Sequence, residues 1–209
     1  MGKIIIFDIC GTLYHSNTTC DFCEWQENRF FLKKLLIFSK TIIGRIINKF
    51  FEKLFGYDWI RSLHIYSLKG KSIDHVNQQA DIFVKTFLIN KEISETHKIL
   101  SSMNRKEVIL VSATLKPVAQ AIAKYLRVDL FYATTLLIKN GIFTGNIQKD
   151  LSGIKHNLFE NKKIDFVATD NLNDSKLCLL SRKTVIISRK KHLDLWKKKN
   201  IKIDKLIIV

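Results

Sequence analysis

Apolar residues in this chain follow two rhythms. Short, almost unbroken runs rich in Ile or Val lie at Lys3 to Phe7, Glu107 to Val111, Ile164 to Ala168 and Thr184 to Ile187. Longer stretches between them repeat their apolar residues every three or four positions. Near-continuous apolar runs alternating with helical patterns predict a parallel sheet covered on both faces. Ile203 to Val209 predicts a further strand at the C-terminal end. The β-prone stretch from Phe131 to Ile147 is interrupted by Asn140-Gly141, a dipeptide that favours the tight turn of a hairpin.

The gap between the first and second strands reads differently. Cys20 to Leu100 is helical in pattern and holds few breakers. From Ile42 to Phe55, the residues Ile43, Ile46, Ile47, Phe50, Leu54 and Phe55 share one face, while Arg45, Asn48, Lys49, Glu52 and Lys53 share the other, as 3.6-residue periodicity requires. Phe30 to Phe38 is apolar almost all round. Asp74 to Leu88 and Ser94 to Met103 predict two more helices. No internal repeat or low-complexity linker interrupts the chain. The simplest architecture is α/β: a doubly wound parallel sheet formed by 1–18 and 105–209, whose first crossover is interrupted by a helical cap over 19–104.

Composition narrows the class. Of 209 residues, 46% are hydrophobic and one is Pro, a balance that favours a packed globule over a disordered chain. The formal net charge of +16 favours anionic partners: phosphorylated metabolites, nucleic acid or an anionic lipid surface. No apolar run approaches the ~18 residues of a membrane span. The four Cys are scattered. A thiol in the first strand-turn and no secretory leader point to a reducing, cytoplasmic setting.

Candidate chemistry sits where the strands end. Ile4-Ile5-Ile6-Phe7 empties into Asp8, followed by Ile9-Cys10-Gly11-Thr12. A carboxylate at the carboxyl end of a buried strand can hold a metal or attack an electrophile. The second strand closes in Ser112-Ala113-Thr114, where a hydroxyl and the following helix N-terminus can hold a phosphoryl oxygen. Lys155, after Gly153, can steady a nucleophile and a transferring phosphoryl charge. Asp170 and Asp174 follow the third strand, four residues apart, within reach of one divalent cation.

In this order the stretches resemble the motifs of the haloacid dehalogenase-like superfamily, in its phosphoserine-phosphatase-like branch. Asp8-Ile9-Cys10-Gly11-Thr12 resembles DxDGT. Ser112 resembles the hydroxyl residue of the second motif. Asn140-Gly141 to Gly145 and then Gly153-Ile154-Lys155 are similar to the Gly-x-x-Thr-Gly and Gly-x-x-Lys elements. Thr169-Asp170-Asn171-Leu172-Asn173-Asp174 resembles GDSxxD. Asn17-Thr18-Thr19 fits the polar turn that opens the cap. The bland alternative is an unrelated doubly wound protein whose acids merely cap helices.

The resemblance implies an aspartyl-phosphate on Asp8, phosphate held by Ser112, Ala113 and Lys155, and Mg2+ held by Asp8, the Cys10 carbonyl, Asp170 and Asp174. It also exposes a departure. Cys10 stands where the family carries a second Asp, the group that protonates the leaving oxygen and then activates water, help worth ~10²–10⁴-fold. A thiol is a weak substitute. Three outcomes stay open: a slow phosphatase or one whose leaving group needs no proton, a phosphoryl transferase, or a binder of a phosphorylated ligand. The Tyr typical of carbon-attacking dehalogenases is absent.

Between Arg29 and Lys71 ten Lys or Arg face two acids, Glu52 and Asp58, interleaved with aromatic residues. Two readings of this segment stand. Its apolar residues form the cap core and its lysines the solvated face, or a basic amphipathic helix lies peripherally on the inner face of an anionic membrane, which would suit a lipid phosphate as well as a sugar phosphate. The aromatics form no evident stacking surface for nucleic acid. Cys20-x-x-Cys23 lacks the second pair of a zinc site, and Trp196 is expected to anchor a basic terminal helix.

Overall fold

The computed structural model describes residues 2–209. Seven strands form one sheet: β1 (Ile5–Phe7), β2 (Val108–Leu115), β3 (Leu130–Lys139), β4 (Ile142–Lys149), β5 (Ile164–Thr169), β6 (Ser181–Ser188) and β7 (Lys205–Ile208). Their order is β4-β3-β2-β1-β5-β6-β7. All pairings are parallel except the β3–β4 hairpin. The expected doubly wound α/β fold is therefore present, with β1 at its centre. Asn140 and Gly141 both adopt left-handed φ, 50° and 75°, which is the conformation the hairpin turn demands.

Alternate side chains of the central strands enter two cores. Ile5, Phe7, Phe166 and Ala168 join Leu115, Ile122 and Phe83 on one face. Ile6, Val167 and Ile186 join Val111, Phe159 and Trp196 on the other. Burial on both faces is why these strands read as continuous apolar runs rather than as alternating ones. Trp196 fastens the short helix Leu193–Lys197 into the second core.

β2 runs past the apolar stretch to Leu115, so Ser112 lies within the strand and not after it. The register with β3 shifts between Val111 and Leu115, an irregularity that re-aims side chains at a strand end.

Six helices separate β1 from β2: α1 (Thr18–Trp25), α2 (Phe30–Ser39), α3 (Ile42–Phe55), α4 (Trp59–Tyr66), α5 (Ile73–Thr86) and α6 (Ser94–Ser101). α7 (Lys116–Leu126), α8 (Ser175–Leu179) and α9 (Leu193–Lys197) follow. Side-chain caps start several of them: Asn17 accepts from Cys20 N–H at 3.2 Å and Asp58 from Arg61 N–H at 2.9 Å, satisfying otherwise orphaned donors. The helices do not stand apart as one body. α5 packs on α7 and shares the first core with the sheet. α2 and α3 contact each other and α4.

The cap-core reading of α3 does not hold. Ile43, Ile46, Ile47, Phe50, Leu54 and Phe55 are all exposed, because the helix turns Gly44 and Asn48 inward and its apolar stripe outward. Among the described residues no helix is long and apolar enough to cross a membrane.

Phe83 joins α5 to the rest of the core. Its ring packs with Phe22, Trp25 and Phe87 at centroid distances of 5.4, 5.6 and 5.0 Å. Replacing it with Ala should lower the unfolding free energy by about 3–5 kcal/mol, measured by urea titration.

Candidate active site

The register of the three central strands assembles the site. Phe7 pairs with Leu110 on one side and Ala168 on the other, and the next backbone donor, Asp8 N–H, reaches the Ala168 carbonyl at 3.0 Å. The chain crosses to opposite sides of β1 after β1 and after β4. Asp8 therefore lies at the topological switch point, on the edge of an open α/β sheet where ligands bind.

Asp8 is buried and fixed at both carboxylate oxygens. Oδ1 accepts from Ile9 N–H at 2.7 Å, and Oδ2 lies 2.8 Å from Lys155 Nζ. Lys155 Nζ also donates to Asp174 Oδ2 at 2.8 Å, and that oxygen accepts from Thr169 Oγ1 at 2.7 Å. Burial works against the Lys155 ammonium, but the Asp8 and Asp174 charges outweigh it and hold its pKa above the ordinary lysine value. Lys155 arrives on a short 3-10 turn, Lys155–Phe159, whose Phe159 enters the second core.

Asp170 faces this pair from the far side of the Gly11-Thr12 turn. Its backbone N–H donates to Thr12 Oγ1 at 3.0 Å, and Thr12 Oγ1 donates back to Asp170 Oδ1 at 3.3 Å. Gly11 has φ +64°, and a Cβ there would sit on the Asp170 carboxylate. The position thus needs Gly for its backbone conformation and for the close approach. Burial, and then the Asp8 charge, push the Asp170 carboxyl up to about 7.

Cys10 is held in a chain of hydroxyls. Its Sγ lies 2.8 Å from Thr18 Oγ1 and 3.2 Å from Thr114 Oγ1. Thr18 and Thr114 are 2.7 Å apart, and Thr114 meets Ser112 Oγ at 2.9 Å. Burial and the neighbouring Asp8 charge raise the thiol pKa, so the group stays protonated at neutral pH.

A cavity of about 1120 Å³ opens above these groups, lined by Asp8, Cys10, Ser112, Ala113, Lys155 and Asp170 from the sheet and by Arg45, Asn48 and Arg61 from the helices. Arg61 ties the roof to the floor: it pairs with Asp150 at 2.5 Å and donates to the Ala113 carbonyl at 3.0 Å and to Thr134 Oγ1 at 3.1 Å.

A profile of haloacid dehalogenase-like hydrolases matches residues 5–169 of this sequence, the stretch that carries Asp8, Ser112 and Lys155. The chain belongs to that family. Among curated proteins no sequence matches. Solved structures share the fold at low identity. A protein of unknown function from Bordetella pertussis Tohama I superposes with a TM-score of 0.69 at 13% identity, over 99% of this chain and 98% of that one. A probable phosphoserine phosphatase from Vibrio cholerae gives 0.62 at 14%, over 98% of this chain and 60% of that one. A phosphoserine phosphatase held as a phospho-aspartyl intermediate analogue gives 0.58 at 16%, over 99% and 93%. At these identities the likeness is one of fold.

Of the residues to which the sequence assigned chemistry, Asp8, Cys10, Ser112, Ala113, Lys155 and Asp170 line the cavity of this hydrolase, though not in equivalent positions. Asp8 and Asp170 face it. Asp174 does not line it and serves the Lys155 ammonium. Among the described residues no three His, Cys, Asp or Glu side chains gather as a ready metal cluster, since Lys155 stands between Asp8 and Asp174. The donor set nonetheless fits a divalent cation. Three carboxyls share one ammonium, and Asp170, an oxygen donor beside Asp8 with no cationic partner of its own, is pushed toward its protonated form by this excess of acid, which a divalent cation would relieve.

Thr18, Thr114 and the Arg61–Asp150 pair escaped sequence reading. Thr18 lay in the recognised Asn17-Thr18-Thr19 turn, but nothing local joins it to Thr114. Cys20 and Cys23 are buried on α1, Cys20 beside the cavity and Cys23 in the first core, and burial pushes the Cys20 thiol up to about 12.

Two outcomes test this electrostatic arrangement. Lys155→Met leaves Asp8 and Asp174 without their counter-charge and should reduce stability by about 3–5 kcal/mol, read by urea unfolding at neutral pH. Asp170 has a folded-state pKa near 7 against an ordinary value of 3.8. Between these values the folded chain binds the extra proton, so this residue's contribution is present at low pH and is lost as pH rises through 7. In chelator-treated protein the difference in stability between wild type and Asp170→Asn should therefore shift against wild type from pH 4 to 7.5, followed by urea midpoints.

Proposed function

We propose that this hydrolase is a phosphomonoesterase acting through an aspartyl-phosphate on Asp8. The observation that carries the reading is the Asp8 carboxylate, buried at the sheet's switch point, pinned by Ile9 N–H and Lys155 Nζ, and open to a cavity large enough for a phosphorylated substrate. In the first step the Asp8 carboxylate oxygen attacks phosphorus and the ester P–O bond breaks. The leaving oxygen takes a proton and departs as an alcohol. In the second step water attacks phosphorus, the Asp8–phosphorus bond breaks, and inorganic phosphate leaves.

Each neighbouring group has a part. Lys155 offsets the negative charge on Asp8 and on the phosphoryl group, and Asp174 with Thr169 keeps the ammonium in place. The Ser112 hydroxyl, with Ala113 beside it on the cavity floor, is suited to a phosphoryl oxygen. Asp8 and Asp170, with the backbone carbonyl of Cys10, would hold Mg2+, and Asp174 would act on that site from behind Lys155. When bound, the ion would supply charge neutralisation at the transferring phosphoryl group. The fold neighbours include a phosphoserine phosphatase in a phospho-aspartyl analogue state, which supports the nucleophile assignment. The four cysteines are free thiols, which supports a cytoplasmic setting. The substrate class is a phosphorylated small molecule, with sugar phosphates and lipid phosphates both compatible with the cavity.

A second reading is favoured by Cys10. Its raised pKa leaves a neutral thiol that can donate a proton to the leaving oxygen but is a poor base toward water. A thiol weak both as acid and as base would slow both steps and leave the protein a binder of phosphorylated ligands more than a turnover enzyme.

One experiment separates these readings. With Mg2+ present, Cys10→Asp should raise kcat on an alkyl phosphate at least about tenfold, with a smaller gain on an aryl phosphate whose leaving group needs less help. Asp8→Asn should be silent in both backgrounds. Activity surviving Asp8→Asn would exclude the nucleophile. An unchanged rate in a folded Cys10→Asp variant would show that the thiol does not limit turnover.

A further inference from the structure

α2 and α3 carry their apolar residues away from the protein. Phe30, Phe31, Phe50 and Phe55 are each between 60% and 85% exposed. At roughly 200 Å² per phenylalanine, these four alone expose on the order of 500 Å², an amount comparable to the largest apolar patch of an ordinary monomer, which is often functional. Ile42, Ile46 and Leu54 extend the same patch along α3.

The helix is held in this orientation by its other side. Gly44, the one buried residue of α3, lies so close to the Ser39 carbonyl that a Cβ would collide with it. Asn48 accepts from Ile60 N–H at 3.0 Å, and Arg45 and Asn48 line the catalytic cavity. The helix thus turns Gly44 and Asn48 toward the protein, keeps Lys49 and Lys53 exposed on its flank and points its apolar stripe outward, which reverses the usual arrangement in water.

The charge around the patch selects its occupant. Over residues 30–55 there are six basic residues and one acid, Glu52. Lys40 pairs with Glu24 at 2.5 Å and with Asp21 at 3.1 Å. Lys33, Lys34, Arg45, Lys49 and Lys53 have no ion-pair partner among the described residues. Two copies of this face brought together would oppose cation to cation. An apolar, multiply cationic surface instead matches a layer of hydrocarbon edged by anionic headgroups.

We propose that the α2–α3 face docks peripherally on an anionic lipid bilayer, with its Phe and Ile side chains in the interface and its lysines among the headgroups. Because Arg45 and Asn48 lie on the cavity side of the same helix, docking holds the catalytic cavity within about one helix diameter, ~10–12 Å, of the headgroup layer. The docking rests on the exposed face and not on the hydrolase chemistry, so binding and turnover fail separately.

The test is co-sedimentation of the full chain with vesicles of phosphatidylcholine alone or mixed with phosphatidylglycerol, beside its elution volume and its rate on p-nitrophenyl phosphate. Wild type should sediment with the mixed vesicles, less with phosphatidylcholine, and less as salt rises. Lys49→Glu with Lys53→Glu should lower the partition coefficient about tenfold or more, and so should Ile46→Ser with Phe50→Ser. Both double variants should keep the wild-type rate on the soluble phosphate, which shows that they fold. Wild type remaining in the supernatant with mixed vesicles overturns the proposal, as do double variants that sediment like wild type. A dimer that binds no vesicles and dissociates on Ile46→Ser with Phe50→Ser would assign the face to a second copy of the chain.

Discussion

A lysine ammonium buried between two carboxylates organises the catalytic end of this protein. Lys155 Nζ reaches Asp8 and Asp174 at equal distance, 2.8 Å, with all three groups nearly sealed from water. A buried charge is tolerated only where its partners are close and themselves hydrogen-bonded. Ile9 N–H and Thr169 Oγ1 supply that second layer. The arrangement also leaves Asp170 without a cation, and the negative charge that collects there is what makes an oxygen-ligated divalent ion chemically appropriate.

The sheet makes this convergence possible. Asp8, Lys155 and Asp174 are separated by well over a hundred residues of intervening chain in one case and by a strand in the other, yet parallel pairing of β1 with β5 brings Asp8 and the segment bearing Asp174 to one edge, where the turn carrying Lys155 meets them. The helices above close the site without copying that rigidity. Arg61 spans from α4 to Asp150 and to the Ala113 carbonyl, so the roof is tied to the last residues of β2. Motion of α4 would therefore be felt at Ala113.

Cys10 occupies a frame set by neighbouring hydroxyls and by the backbone turn. Its thiol is bonded to Thr18 and Thr114, and through Thr114 to Ser112. The backbone turn around it is still set by Gly11 against Asp170 and by Thr12. Asp8, Lys155 and Asp170 thus keep their places beside a thiol that burial holds neutral.

The sequence by itself determined the β1 and β5 strands, the hairpin at Asn140-Gly141 and the helix over Ile42–Phe55, because strand and helix periodicities and turn conformations are local properties of side chains. It also placed Asp8, Ser112 and Asp170 at or near strand ends, and the resemblance of the ordered stretches to family motifs grouped them with Lys155. Only the tertiary structure decided that Asp174 faces Lys155, that Thr18 and Thr114 enclose Cys10, and that Arg61 meets Asp150 across the site. Those contacts join residues whose separation in sequence carries no periodic signal. Periodicity likewise identified the apolar stripe of α3 but not its direction: an amphipathic pattern gives the relative placement of two faces on a helix, and the packing of Gly44 against Ser39 and of Asn48 against Ile60 decides which of them turns to the protein.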